Sequence, residues 1–402
     1  MTKKRLFLAA VCMGASLLSL SCSKKELQPA DEPLVWAGRM ADAQITKGIG
    51  GTNVDSPRFK WDYSAGVGLK SLLDLYELTG EKKYNDYVLS FADKVVAEDG
   101  TIKSYNVEEY NIDRVNTSKI FFRIYDQTGD EKYKQALDLT RTQFEGHPRN
   151  EDGGLWHKEI YPHQMWLDGI YMGAPFYAEY ASRYGDSSDF QYIINWFRTL
   201  SLHCYDPSTD LYRHACDVSR QMPWADSVTG QSDHCWGRGM GWYFMGAVDA
   251  LEFIPESEVG HGLVADTVKK LASMVKRMQD PVTGTWYQVI DRSGDEGNYL
   301  EATCTAMFTY SLLKAVRLGY IDDSYLDVAV KGFNGFVAQF ISEGEDGLLN
   351  VSDCCMGAGL GGTPYRSGTY EYYIKEARRG PNSTFAMGPF VMAGVELARI
   401  RQ

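Results

Sequence analysis

The chain has 402 residues, two to three times the usual single-domain length, with 44% hydrophobic and 23% charged residues. That balance excludes a disordered or collagen-like chain. Lys+Arg 41 against Asp+Glu 53 leaves a net charge of −12 with no basic stripe, which argues against a nucleic-acid partner because phosphate binding rests on clustered Lys and Arg. Aromatic content reaches 13%, with Trp 9, Tyr 26 and Phe 17, enough to fill a large core or to line a carbohydrate cleft.

Lys3, Lys4 and Arg5 precede an apolar run from Leu6 to Leu20. The run is shorter than the about 20 residues that a membrane-crossing helix needs, and a positive segment ahead of it reads as an export signal. It ends in Ser19-Leu20-Ser21-Cys22, which resembles a bacterial lipobox with Ser19 where Leu is usual. The expected division is a lipoprotein signal peptide over 1–21, a polar tether over 22–40 that starts at a lipidated Cys22, and one domain over 41–402. The protein is then exported and anchored at the bacterial outer membrane, on its periplasmic or surface face, with the lipid as its only membrane contact. Six further cysteines remain: Cys204, Cys216, Cys235, Cys304, Cys354 and Cys355. No pair has CxxC spacing, and adjacent Cys354 and Cys355 seldom satisfy disulfide geometry with each other. Most are expected to be free, buried thiols.

One unit recurs along the chain: an aromatic-rich helix closed by Gly, then an amphipathic helix opened by acidic residues. Segments 66–80 and 116–129 end in LTGEKKY and QTGDEKY, nearly the same turn, and Gly at a helix C-cap before an acidic start is sound capping chemistry. Further first helices are expected over 173–185, 239–255, 302–319 and 384–400, the last taking its partner from the N-terminal segment. Long loops over 147–168, 206–238 and 348–373 separate them, and long loops in compact domains usually carry function. Six hairpins with an aromatic inner set predict an all-α, closed (α/α)6 barrel rather than an open solenoid, whose period is stricter.

Three stretches hold the candidate chemistry. The loop ahead of the third inner helix gathers Trp156, His157, His163, Trp166 and Asp168. An Asp just before a helix is most often an N-cap, but a cap does not require two Trp and two His around it. The second stretch holds His214, Trp236, Arg238 and Trp242; a guanidinium offers a planar fork to a carboxylate, and indole faces suit sugar rings. The third is Asp113 in NIDRVN, with Tyr63 in KWDYSAG, each ahead of an inner helix. In a barrel the starts of inner helices share one rim, so Tyr63, Asp113, Asp168 and Arg238 are expected to converge there. Two carboxylates in one cleft divide protonation states between them. The histidines have few flanking carboxylates and no HExxH spacing, so no metal site is indicated. Neither a phosphate loop of the GxxxxGK[ST] type nor a GxSxG elbow is present.

The strings WHKEIYPHQMWLDGIYMGAPFYAEY, CWGRGMGWYFMGAVDALEFIP, NYLEATCTAMFTYSLLKAVRLGY and SGTYEYY resemble the unsaturated rhamnogalacturonyl hydrolases, glycoside hydrolase family 105, over nearly all of the chain from about Trp61. The resemblance implies an (α/α)6 barrel without metal or cofactor that removes a 4,5-unsaturated uronic acid from the non-reducing end of lyase-generated oligosaccharides. It also implies Asp168 as general acid/base, Asp113 as the second active-site carboxylate, and Tyr63, His157, Trp166, His214, Trp236, Arg238 and Trp242 as substrate-site residues. Two segments depart from the family pattern: NSTFAMGPF stands where an Asn-Asp-Xaa-Lys-Gly-like run is usual, and Arg366-Ser367-Gly368 where Arg-Asp-Gly is usual. Two other readings compete. One is an inverting glycosidase on a saturated sugar, with Asp113 and Asp168 as base and acid; the other is a non-catalytic sugar-binding lipoprotein, which needs aromatic platforms but no paired carboxylates.

Overall fold

A computed structural model describes residues 28–402; the signal peptide over 1–21 and Cys22 lie outside the described residues. Among these, twelve α-helices follow in order: α1 (Pro33–Lys47), α2 (Tyr63–Thr79), α3 (Lys82–Val95), α4 (Ile120–Thr128), α5 (Glu131–Gly146), α6 (Leu167–Tyr184), α7 (Ser187–Cys204), α8 (Gly237–Ala250), α9 (His261–Met278), α10 (Ala302–Arg317), α11 (Leu326–Phe340) and α12 (Thr384–Ile400). The even-numbered helices form a closed inner ring, with a 3-10 turn, Asn116–Lys119, carrying α4 between α2 and α6. This is the all-α (α/α)6 barrel.

Position in the barrel follows from the apolar pattern. A helix that is apolar all round must be buried, and every residue of α8 is buried. Outer helices bury one stripe instead, as α9 does with Val264, Val268, Leu271 and Val275 at helical spacing. The two repeated turns are hairpin corners: Gly80 and Gly129 end α2 and α4 at φ 72° and 65°, a left-handed conformation that suits glycine, and Asp130 caps α5 through the Lys132 N–H. The last inner helix, α12, takes α1 as its partner. A Cβ at Gly394 would lie 2.8 Å from the Pro33 carbonyl oxygen, so these two helices meet at backbone distance.

That pairing corrects the expected tether. Helix α1 starts at Pro33 and buries Ala37, Met40 and Ala41, so the barrel begins before residue 41 and the segment 33–40 is structural. The third inner helix also starts earlier than the sequence pattern indicated, at Leu167, and the fourth at Gly237. Four two-stranded antiparallel ribbons in the long loops had no clear alternation to announce them. The most consequential pairs Gln164–Trp166 with Ala215–Asp217, which fastens the first two site loops together, Trp166 opposite Ala215. Cys204, Cys216, Cys235, Cys304, Cys354 and Cys355 are all free and buried. No described helix is long and apolar enough to cross a membrane.

Candidate active site

Two consecutive inner helices begin in the same way. Trp166 and Trp236 occupy the N-cap positions of α6 and α8 in extended backbone, and the second helical residue after each is charged: Asp168 and Arg238. Asp168 is therefore not the cap that its spacing allowed. Tyr63 opens α2 behind Asp62, whose carboxylate accepts from the Ser64 N–H, and Asp113 sits in the 3-10 turn Ile112–Arg114. A cleft of about 320 Å³ joins them at one rim, walled by Tyr63, Asp113, His157, Trp166, Asp168, Trp236 and Arg238.

The two carboxylates differ in what holds them. Asp113 contacts Lys158 Nζ at 2.6 Å and His157 Nε2 at 3.2 Å. Burial alone would raise its carboxyl, but the Lys158 charge, with His157, outweighs that and keeps it well below the usual carboxylate range. Asp168 has no such cation. Its Oδ2 is buried without an aligned hydrogen bond and faces His214 Nε2 at 3.4 Å. Burial lowers the His214 imidazole although Asp168 pulls the other way, so the ring is neutral near pH 7. Tyr373, whose phenol burial keeps protonated, lies 2.7 Å from His214 Nδ1. With the hydroxyl as donor the imidazole proton is on Nε2, facing Asp168; with Nδ1–H as donor, Nε2 carries a lone pair there.

Aromatic rings set the remaining walls. Trp166 stacks between His157, with centroids 5.1 Å apart, and Tyr161, at 5.5 Å, and its Nε1 donates to Gln164 Oε1 at 3.2 Å. Tyr63 lies flat on Phe385 at 5.2 Å. Burial, and then the Asp113 charge, raise the Tyr63 phenol far above its ordinary value, so it remains a hydrogen-bond donor. The Arg238 guanidinium lies over Trp236 at 4.6 Å and Phe385 at 4.9 Å and donates from Nη1 to the Cys355 carbonyl. Its Nε is buried without a partner. A buried, unpaired guanidinium donor at a cleft wall is what a substrate carboxylate would satisfy.

The profile of Glycosyl Hydrolase Family 88 matches residues 36–401. The chain belongs to that family. It is similar to a family 105 glycoside hydrolase from C. acetobutylicum ATCC 824, at 40% identity over 90% of this chain and 99% of that one, with a TM-score of 0.86. The unsaturated rhamnogalacturonyl hydrolase YesR of Bacillus subtilis is 24% identical over 266 residues, 65% of this chain and 72% of the relative. The unsaturated glucuronyl hydrolase of Bacillus sp. GL1 shares the fold at a TM-score of 0.67 and 13% identity, covering 93% of this chain and 97% of that one. This chain is a glycoside hydrolase, as the sequence motifs implied.

Two expected substrate residues of this family 88 enzyme stand elsewhere. His214 is wholly buried and backs Asp168 and Trp236, with its ring 4.5 Å from the latter. Trp242 is buried beneath Tyr63, at 6.4 Å edge to face. Neither reaches the cleft wall: His214 sits in the bend between the short strands Leu211–Tyr212 and Ala215–Asp217, behind the wall, and Trp242 lies one turn further down α8 than Arg238. Sequence reasoning missed Lys158, Tyr161, Met172 and Tyr372, all on that wall. Lys158 had a signal only as the neighbour of His157, since its Asp113 partner is remote in sequence. The departing segment NSTFAMGPF supplies Phe385, an aromatic shelf for Tyr63 and Arg238. Arg366 lines the cleft and donates from Nε to the Gly361 carbonyl at 2.8 Å, fastening its own loop. Among the described residues, no group of three or more His, Cys, Asp or Glu side chains is placed to hold a metal ion.

Proposed function

We propose that this enzyme removes a 4,5-unsaturated uronic acid, of the galacturonyl type, from the non-reducing end of lyase-generated oligosaccharides such as rhamnogalacturonan fragments. The observation that carries the assignment is the inequality of the two carboxylates. Asp113, paired with Lys158 and His157, is fixed as a charge and is a poor proton donor. Asp168, in ion-pair contact with no Lys or Arg, takes the donor role.

The chemistry is hydration of the C4=C5 enol ether. Asp168 protonates C4, and positive character develops at C5. Water adds at C5 and returns a proton to the Asp168 carboxylate. The C5 hemiketal opens, the former glycosidic carbon becomes a hemiacetal carbon, and the leaving sugar departs. No glycosyl-enzyme forms, so the carboxylate-separation rule of ordinary glycosidases does not apply. Proton transfer by one placed group contributes about 10²–10⁴-fold, and orientation and electrostatics supply the remainder. Arg238 takes the uronate through its unpartnered Nε edge, and Trp166 and Trp236, whose faces are covered by neighbouring side chains, border the sugar from the cleft wall.

The reading extends to an exported enzyme anchored through Cys22, on the strength of the basic start, the apolar run and the lipobox-like end. The decisive assay follows the ultraviolet absorbance of an unsaturated galacturonyl-rhamnose disaccharide beside its saturated counterpart. Absorbance should fall for the first, with the second untouched. Equal cleavage of the saturated sugar would promote the inverting glycosidase, and binding without turnover of either would promote a binding protein.

A further inference from the structure

Below the cleft, helix α6 contains Pro175. Proline has no N–H, so the carbonyl four residues earlier, that of Tyr171, loses the helical hydrogen bond it would accept. Lys119, at the end of the turn that leads into α4, donates from Nζ to that same Tyr171 carbonyl at 3.2 Å. Its ammonium also lies 3.7 Å from the centre of the Tyr171 ring. Neighbouring Lys70 and Lys314 pair with Asp74 and Asp249 at 2.8 and 2.6 Å, whereas this bond is the sole one recorded for the Lys119 ammonium among the described residues. Lys119 is 8% exposed, and burial pushes its amine down to about 7. A buried ammonium without a carboxylate works against folding unless something else retains it.

The held residue connects directly to the site. The Tyr171 ring stacks on Trp242 at 5.0 Å, and Trp242 meets both Tyr63 and Phe385, at 6.4 and 5.5 Å. Met172, next in sequence, lines the cleft, and Asp168 lies one helical turn earlier. We infer that Lys119 is a positioning residue: its ammonium replaces the hydrogen bond that Pro175 removes and so fixes the α6 turn that carries Asp168 and the aromatic floor under Tyr63. This goes beyond the proposed reaction, and only the activity arm of its test rests on that reading.

The test uses Lys119→Met, Pro175→Ala and the double variant in the full enzyme. Lys119→Met should lower kcat on the unsaturated disaccharide by about tenfold, less than the roughly hundredfold attached to a full 1 Å misplacement, with KM little changed. Tm should hold or rise, because a buried unpaired charge is gone. The double variant regains a backbone N–H for the Tyr171 carbonyl and should recover most of the lost kcat. Near-ultraviolet circular dichroism of the Tyr171–Trp242 stack should change in Lys119→Met and return in the double variant, a readout independent of substrate. Unchanged kcat together with an unchanged aromatic spectrum overturns the inference, as does a double variant no better than the single one. A Tm that falls in step with activity reduces Lys119 to a structural lysine. A wild-type enzyme inactive on the disaccharide refutes the substrate reading, while the spectra still decide the role of Lys119.

Discussion

Replacing Asp168 by Asn changes one atom's chemistry at nearly constant shape. On the stability side little is lost. Asp168 is the second residue of α6 rather than its cap, its Oδ2 makes no aligned hydrogen bond, and the nearest partner is His214 Nε2 at 3.4 Å. What disappears is a carboxylate at a helix N-terminus, worth about 0.3–1 kcal/mol, so folding stability should fall by no more than about 1 kcal/mol. On the activity side an amide has no proton to give to C4. A lost general acid accounts for about 10²–10⁴-fold, equivalent to roughly 3–5 kcal/mol of barrier. Tm by differential scanning calorimetry should therefore hold while turnover of the unsaturated disaccharide drops at least about a hundredfold. A folded Asp168→Asn enzyme with near-normal turnover refutes the proton-donor role. A matching collapse of Tm would instead return Asp168 to a structural part.

Three further outcomes are expected. Arg238→Lys keeps the charge but loses the planar fork, so kcat/KM should fall by the equivalent of about 1–2 kcal/mol; unchanged kinetics would place the uronate elsewhere. Glu179, at the far mouth of the barrel, is pushed up to about 7 by burial despite Arg183 beside it. The native state then binds a proton that the unfolded chain releases above the ordinary glutamate value of 4.5, so stability falls as pH rises from about 4.5 to 7. Glu179→Gln should flatten that slope in urea titrations across the window, and a slope identical to wild type would contradict it. Mass spectrometry of the mature N-terminus should find diacylglycerol on Cys22, and an unmodified terminus downstream of it would end the anchor proposal.

The barrel was legible because its signals are local. Gly80 and Gly129 with their acidic followers marked hairpin corners, and the apolar breadth of α8 and α10 marked inner helices. The rim was legible for the same reason: residues placed at the starts of inner helices share one end, so Tyr63, Asp113, Asp168 and Arg238 came together as expected. Depth was not legible. Arg238 and Trp242 are four residues apart on α8, one turn, and that turn separates the cleft wall from the core. Partners brought together by tertiary packing left no local trace either. Lys158 finds Asp113 through a bridge between Asn111 and Lys158, and Phe385 finds Arg238 only when the ring of helices closes.

The shared geometry of α6 and α8 also separates what folding favours from what it tolerates. Both helices put a charge at the second position, where the positive end of the helix dipole favours an anion and disfavours a cation. Asp168 is thus of the residue type that the start of a helix favours. Arg238 sits where both burial and the dipole oppose its charge, offset within the protein by the Trp236 and Phe385 faces, one carbonyl and the nearby carboxyl groups of Glu301 and Asp168. An apolar side chain of similar volume would suit that position better for stability alone. Under the proposed function, a buried cation with an orphaned donor on the wall of the cleft has its energetic counterpart in the uronate that the substrate brings. Local preference is broken at Arg238 and satisfied at Asp168, in keeping with the proposed roles of the one in charge binding and of the other in chemistry.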